Sequence, residues 1–129
     1  MFTEEQIKTA LGKTRSGADF PAYIRDLKKL GVSNYETFVA DGHTDYYGAN
    51  NYKTTAPAKY DTKPIAAMSN ETQFKADLKA HQAGKTNYPT FCNDAAKSGI
   101  EKWAVCMDKM SCIYYDKAGN KVLVEKIPA

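Results

Sequence analysis

The densest group of side chains able to do chemistry is "ADGHTDYYG", residues 40–48, which holds Asp41, His43 and Asp45 with Tyr46 and Tyr47 close behind. A histidine flanked by carboxylates can act as a general base or, together with them, ligate a divalent metal. If the turn at Gly42 joins two strands, alternation puts His43 and Asp45 on one face, with Asp41 approaching from across the turn. The plainer reading is a hairpin tip, because Asp-Gly is turn chemistry and polar residues at a tip are solvated. Asp41, His43 and Asp45 are therefore candidates for a catalytic role, without amounting to a defined catalytic set or metal site.

The remaining reactive residues are scattered. Cys92, Cys106 and Cys112 are an odd number with no CxxC spacing, as expected of reduced thiols rather than a disulfide framework. Cys92 falls on the inward face of a helix and reads as a small buried hydrophobe. Cys106 and Cys112 fall on strands, and His81 lies near a helix C-terminus. Tyr46, Tyr47 and Tyr52 belong to a run of tyrosines that could form a binding surface, although alternation sends one ring of each Tyr-Tyr pair inward. There is no Walker loop, GxGxxG, HExxH, GxSxG or zinc-finger spacing, and "GKTRSG" lacks the upstream glycine and strand of a phosphate loop.

Charge narrows the partners. Lys and Arg total 18 against 15 Asp and Glu, for a net charge of +3, and only Arg15 and Arg25 are arginines. Base readout and bidentate phosphate contacts favour Arg, so nucleic acid is not the expected partner. No basic start with an apolar run marks a signal peptide, and no stretch has the length of a membrane span, so a soluble cytoplasmic protein is expected, with no cofactor.

The elements that must position these residues come in two similar sets. Thr3 and Gln6 form a capping-box pattern ahead of Ile7, Ala10 and Leu11, a helix expected to end near Thr14, before Gly17. Asp19 and Pro21 open a second helix whose apolar face is Phe20, Tyr23, Ile24, Leu27 and Leu30, with Gly31 as its stop. "YETFVAD", "HTDYY" and "YKTTA" then read as a three-stranded meander. Residues 57–70 hold two prolines and no period, and form a connector between halves. After it the order returns. Asn70, Gln73, Phe74 and Leu78 repeat Thr3, Gln6, Ile7 and Leu11 at an offset of 67. From Asp19 against Asn87 the offset is 68, matching Pro21 to Pro89, Tyr23 to Phe91, Gly31 to Gly99, Tyr35 to Trp103 and Tyr46-Tyr47 to Tyr114-Tyr115. The chain ends in the hairpin "SCIYYDKAGNKVLVEKI". The expected product is one α+β domain over residues 1–129, built of two pseudo-repeated helix-helix-three-strand units (about 3–56 and 70–128) with an antiparallel sheet. Lys109, Ser111 and Ile113 stand where Asp41, His43 and Asp45 would recur, so the fold does not require that cluster.

"SGADFPAYIRDLKKLGV", "ADGHTDYYG", "APAKYD", "FKADLKAHQAGKTNYPTFC", "AAKSGIEKW" and "YYDKAGNKVLVEKIP" together span almost the whole chain. In these the chain resembles the YbcV/YdfO-like family of uncharacterised bacterial and prophage-associated proteins, often named phage envelope proteins automatically. The resemblance implies a single α+β domain and no known catalytic residues to transfer. The expected function is that of a non-enzymatic accessory or binding protein that engages a protein or small molecule through a Tyr-rich sheet face or edge. The alternative is a metal-dependent or general-base enzyme centred on Asp41, His43 and Asp45.

Overall fold

The computed structural model describes residues 2–12 and 19–127. Helices α1 (Glu4–Leu11) and α2 (Phe20–Leu30) precede strands β1 (Asn34–Phe38), β2 (Thr44–Tyr47) and β3 (Lys53–Ala56). The same order then repeats as α3 (Glu71–Gln82), α4 (Tyr88–Lys97), β4 (Lys102–Cys106), β5 (Ser111–Tyr115) and β6 (Lys121–Lys126).

Local chemistry sets the helix starts. Thr3 accepts from the Gln6 backbone N–H at 3.2 Å and the Gln6 side chain accepts from the Thr3 N–H at 2.9 Å, a closed capping box. Asn70 and Asn87 cap α3 and α4 by accepting from the N–H groups of Gln73 and Thr90, at 3.1 and 2.9 Å. The Gln73 side chain turns forward to Asp77 instead of back, so the second cap is half a box. Pro21 and Pro89 occupy the first turns of α2 and α4, where a missing N–H costs nothing. The first helix stops at Leu11, capped by Gly12 and shorter than the spacing predicts, while Thr14 and Gly17 lie outside the described residues.

The six strands form one sheet in the order β3-β2-β1-β4-β5-β6, every neighbour antiparallel. Two meanders are thus joined edge to edge through β1 and β4. Their registers correspond: Asn34 faces Tyr47 in one hairpin, and Lys102 faces Tyr115 in the other, each 68 positions on. At the junction Glu36 faces Ala104, the position 68 beyond itself, and Tyr35–Val105 is answered by Thr37–Trp103. Positions 68 apart are therefore related by a half turn about the Glu36–Ala104 pair. The departure is a bulge between Tyr114 and Tyr115 that shifts β5 against β6.

Alternation gives the sheet two unlike faces. Tyr35, Thr37, Thr44, Tyr46, Trp103, Val105, Cys112 and Tyr114 point inward and are buried. The helices cover that side with Ile7, Tyr23, Ile24, Leu27, Phe74, Leu78, Phe91 and Cys92, and the buried residues of both halves form a single cluster. Each large apolar side chain so buried contributes about 1.5–3 kcal/mol. The other face carries Glu36, Phe38, Asp45, Tyr47, Lys102, Ile113 and Tyr115, with Val124 56% exposed.

Residues 57–70 contain neither helix nor strand, as expected of the connector, yet they are tied down. The N–H groups of Lys59 and Lys63 donate to the carbonyls of Asp41 and Ala40 at 2.8 and 2.7 Å, and the Tyr60 hydroxyl donates to Val39 O at 2.6 Å. Farther along, Ala66 and Asn70 donate to Ala96 and Ser98 at 3.0 and 2.9 Å. The strap needs Gly99, whose φ is +79° and whose missing Cβ would stand 2.6 Å from the Met68 carbonyl oxygen. Gly119, with φ +86° in the last hairpin, has nothing within 4 Å of that place. Gly119→Ala is thus expected to cost the left-handed backbone term alone, about 1 kcal/mol, and Gly99→Ala about 3 kcal/mol. Urea unfolding midpoints of the two variants check the difference.

Candidate functional site

The β1–β2 turn brings two of the three hairpin candidates together. The His43 ring nitrogen Nδ1 lies 2.5 Å from Asp41 Oδ1, and the same oxygen accepts from the His43 backbone N–H at 3.0 Å. Burial opposes ionisation of Asp41, but these two hydrogen bonds and the attraction of the ring outweigh it and hold the carboxyl below the usual carboxylate value. The ring stacks flat on Phe38, with centroids 4.4 Å apart and planes 5° from parallel. Asp45 shares the outward face but turns to the third strand, accepting from Thr55 Oγ1 at 2.8 Å and lying 3.9 Å from Lys53 Nζ. The pair is about one third exposed, and among the described residues no group of three or more His, Cys, Asp or Glu could hold a metal ion.

Tyr46, Tyr47 and Tyr52 part company. Tyr46 points inward and is 3% exposed. Tyr47 is half-buried on the outer face under Lys53, whose Nζ is 5.9 Å from the ring centre. The Tyr52 hydroxyl donates to the Phe2 carbonyl at 2.6 Å and its ring meets Phe2 edge-on, fastening the start of the chain to β3. Cys106 and Cys112 fall on opposite faces of the sheet, and all three cysteines are free thiols.

A concave feature lies elsewhere, on the covered side of the sheet. A cavity of about 750 Å³ opens between the α1–α2 and α3–α4 pairs, above strands β1, β2, β4 and β5. Six pairs of corresponding positions line it: Leu11 and Leu78, Phe20 and Tyr88, Tyr23 and Phe91, Tyr35 and Trp103, Thr44 and Cys112, Tyr46 and Tyr114. Its walls are mostly aromatic. Phe91 packs against Trp103 with centroids 5.7 Å apart, and Trp103 lies 6.1 Å from Tyr114. His81 stacks on Phe91 at 4.4 Å. The Tyr23 and Tyr46 hydroxyls meet at 3.1 Å, and those of Thr37 and Thr44 at 2.9 Å.

Burial decides the protonation of this interior. Loss of water raises the phenols of Tyr23, Tyr35, Tyr46 and Tyr114, and pushes the Cys112 thiol up to about 12. Burial likewise raises Cys92, against hydrogen bonds from Tyr60 and Tyr88. At neutral pH these groups are uncharged, and neither buried thiol is an activated nucleophile. The cavity escapes a reading of local patterns because Phe20, Tyr23 and Tyr35 look like ordinary core residues. The available signal was Thr37 and Thr44, polar residues at inward strand positions.

A family described as "Protein of unknown function (DUF1398)" matches residues 8–126. No curated protein matches the chain. No helix among the described residues is long and apolar enough to cross a membrane.

His81 also lines the cavity. Half-buried, it loses hydration, which lowers its proton affinity below the ordinary value of 6.5 despite a hydrogen bond from Nδ1–H to the Thr86 carbonyl at 3.2 Å. The unfolded chain then binds the proton more readily, so His81's share of stability is complete above pH 6.5 and is lost as pH falls below it. The urea midpoint of the natural protein is expected to drop between about pH 7.5 and about pH 5.5, and the drop to shrink in His81→Gln. Equal slopes in the two proteins would show that His81 is not its source.

Proposed function

The chain belongs to the DUF1398 family, and we propose that it is a binding protein rather than an enzyme, holding a small, mostly apolar molecule in the cavity between its helix pairs. The observation that carries the reading is the size of that cavity. Interiors pack like organic crystals, with few voids larger than a water molecule, whereas ligand sites run to roughly 300–1,000 Å³. A space of about 750 Å³ bounded by aromatic rings and a few hydroxyls has the size and chemistry of the second kind.

The same proposal includes the origin and setting of the protein. The matching registers support two copies of one helix-helix-three-strand unit that meet around the cavity. The long sequence motifs support kinship with the prophage-associated YbcV and YdfO proteins, and the three free thiols suit a cytoplasmic accessory role. The partner in this reading is a small molecule; nucleic acid and membrane have no part in it.

One observation favours a second reading. The 2.5 Å contact of Asp41 with His43 fixes the imidazole in the way a general base requires. It sits on the opposite face of the sheet from the cavity.

Binding is testable with a neutral apolar fluorophore. N-phenyl-1-naphthylamine is expected to bind with a blue-shifted, brighter emission and to quench Trp103, the single tryptophan. Cys112→Trp, which places a large ring where a 1%-exposed thiol now stands, should weaken this at least about tenfold. No uptake by the natural protein, with Trp103 emission unchanged, would sink the proposal.

A further inference from the structure

The cavity is symmetric in its layout but not in its chemistry. Besides that of Tyr35, which answers Trp103, one side carries four hydroxyls, those of Tyr23, Thr37, Thr44 and Tyr46. At the corresponding places 68 positions on, the other half has Phe91, Val105, Cys112 and Tyr114. Three of four hydroxyls have no counterpart, although the two halves share the same backbone plan. The second half shows that Phe, Val and Cys suit these places as well, so the fold does not ask for the hydroxyls.

They are also deeply buried. Thr37 and Thr44 are 3% and 4% exposed, Tyr23 and Tyr46 6% and 3%. Burying a hydroxyl costs free energy unless it is hydrogen-bonded, and here the four satisfy one another. Tyr23 bonds to Tyr46 at 3.1 Å and Thr37 to Thr44 at 2.9 Å. Each pair carries two protons and its one link uses one, so each pair keeps one O–H, in a cluster that borders the cavity.

The opposite pole is apolar and aromatic, formed by Phe91, Trp103 and Tyr114. Among the described residues, the charged groups that reach the cavity are Lys59 and Lys126, exposed at its rim, and Glu125, partly buried and accepting from Gln82 Nε2 at 2.9 Å. An ionised group held among the rings and hydroxyls would lose its water away from these charges.

Resting on the reading of the cavity as a binding site, we infer that its ligand is an uncharged aryl carbonyl compound. The carbonyl oxygen accepts a spare O–H from the Tyr23–Tyr46 and Thr37–Thr44 pairs, and the ring lies against Phe91 and Trp103. Ring faces supply the bulk of the contact, and the hydroxyl cluster fixes which end of the molecule points to the first half.

Three probes of one size separate the ideas by isothermal titration calorimetry: naphthalene, 2-acetylnaphthalene and 2-naphthoate. The acetyl compound is expected to bind at least about tenfold more tightly than naphthalene, and more tightly than the naphthoate anion. In Thr44→Val and in Tyr46→Phe most of that preference should vanish. If naphthalene binds the natural protein as tightly as the acetyl compound, or naphthoate binds best, or both variants keep the preference, this inference is overturned and the cavity reading stands. If none of the three binds, the cavity reading falls first and this one with it. The comparison of probes on the natural protein keeps the inference open to refutation even where a variant does not fold.

Discussion

The rest of the structure depends on one antiparallel ladder, that of β1 against β4. Each half alone is a three-stranded meander with an open edge and one apolar face, covered by two short helices. Pairing β1 with β4 closes two edges at once and makes a six-stranded sheet with a common inner face. The register is held by that face. Tyr35 and Thr37 must point the same way as Trp103 and Val105, and a slip of one residue would turn one whole set out to solvent. On the outer side the Lys102–Glu36 ion pair at 2.7 Å spans the same junction, with Lys102 lying also above the Phe38 and Tyr115 rings. Both partners are partly exposed, so the pair is worth at most about 1 kcal/mol and the buried aromatics dominate.

The cavity is a consequence of this junction. Both helix pairs pack on the one inner face, Tyr23 of α2 meeting Tyr46 of β2 and Phe91 of α4 meeting Trp103 of β4. The space between the two pairs is floored by the inner faces of β1, β2, β4 and β5 and walled by the facing sides of the helices. Positions 68 apart in the strands line it because they exchange places across the β1–β4 ladder. The connector gives the arrangement its end stop: by binding at Asp41 and Val39 and again at Ala96 and Ser98, it ties the first hairpin to the last turn of α4.

Much of this was legible in the residues. The caps at Thr3, Asn70 and Asn87, the stops at Gly31 and Gly99, the alternation of the Tyr-Tyr pairs and the bounds of the connector are local features, each written in a few neighbouring positions. The 68-residue offset gave the order of the elements. What stayed out of reach is tertiary. Nothing local says that the two sheets join through β1 and β4, or that the helix pairs stand apart. Tyr23 and Tyr35 lie at helix and strand positions that any core would fill with large rings, so their place on a cavity wall has no separate sign. At the hairpin tip the reverse holds: the contact of Asp41 with His43 follows from the turn, and the departure of Asp45 follows from its cross-strand partner Thr55, which only the register reveals.

Two places break the correspondence of the halves in chemistry rather than shape, and their energies differ. At the hairpin tip, Asp41 and His43 stand where the second half has Lys109 and Ser111. That exchange lies about one third exposed to water, where a polar side chain is nearly free of cost, so it needs no function to persist. Inside, Thr37 and Thr44 stand where the second half has Val105 and Cys112, both nearly sealed from solvent. A buried hydroxyl left without a partner costs about 1–3 kcal/mol, so each can stay only if the others satisfy it. Four hydroxyls arranged to satisfy one another around an open cavity are a costly departure from the other half's plan, and a compensating gain is expected where such a departure persists. Of the two asymmetries, the inner one therefore bears on function more directly.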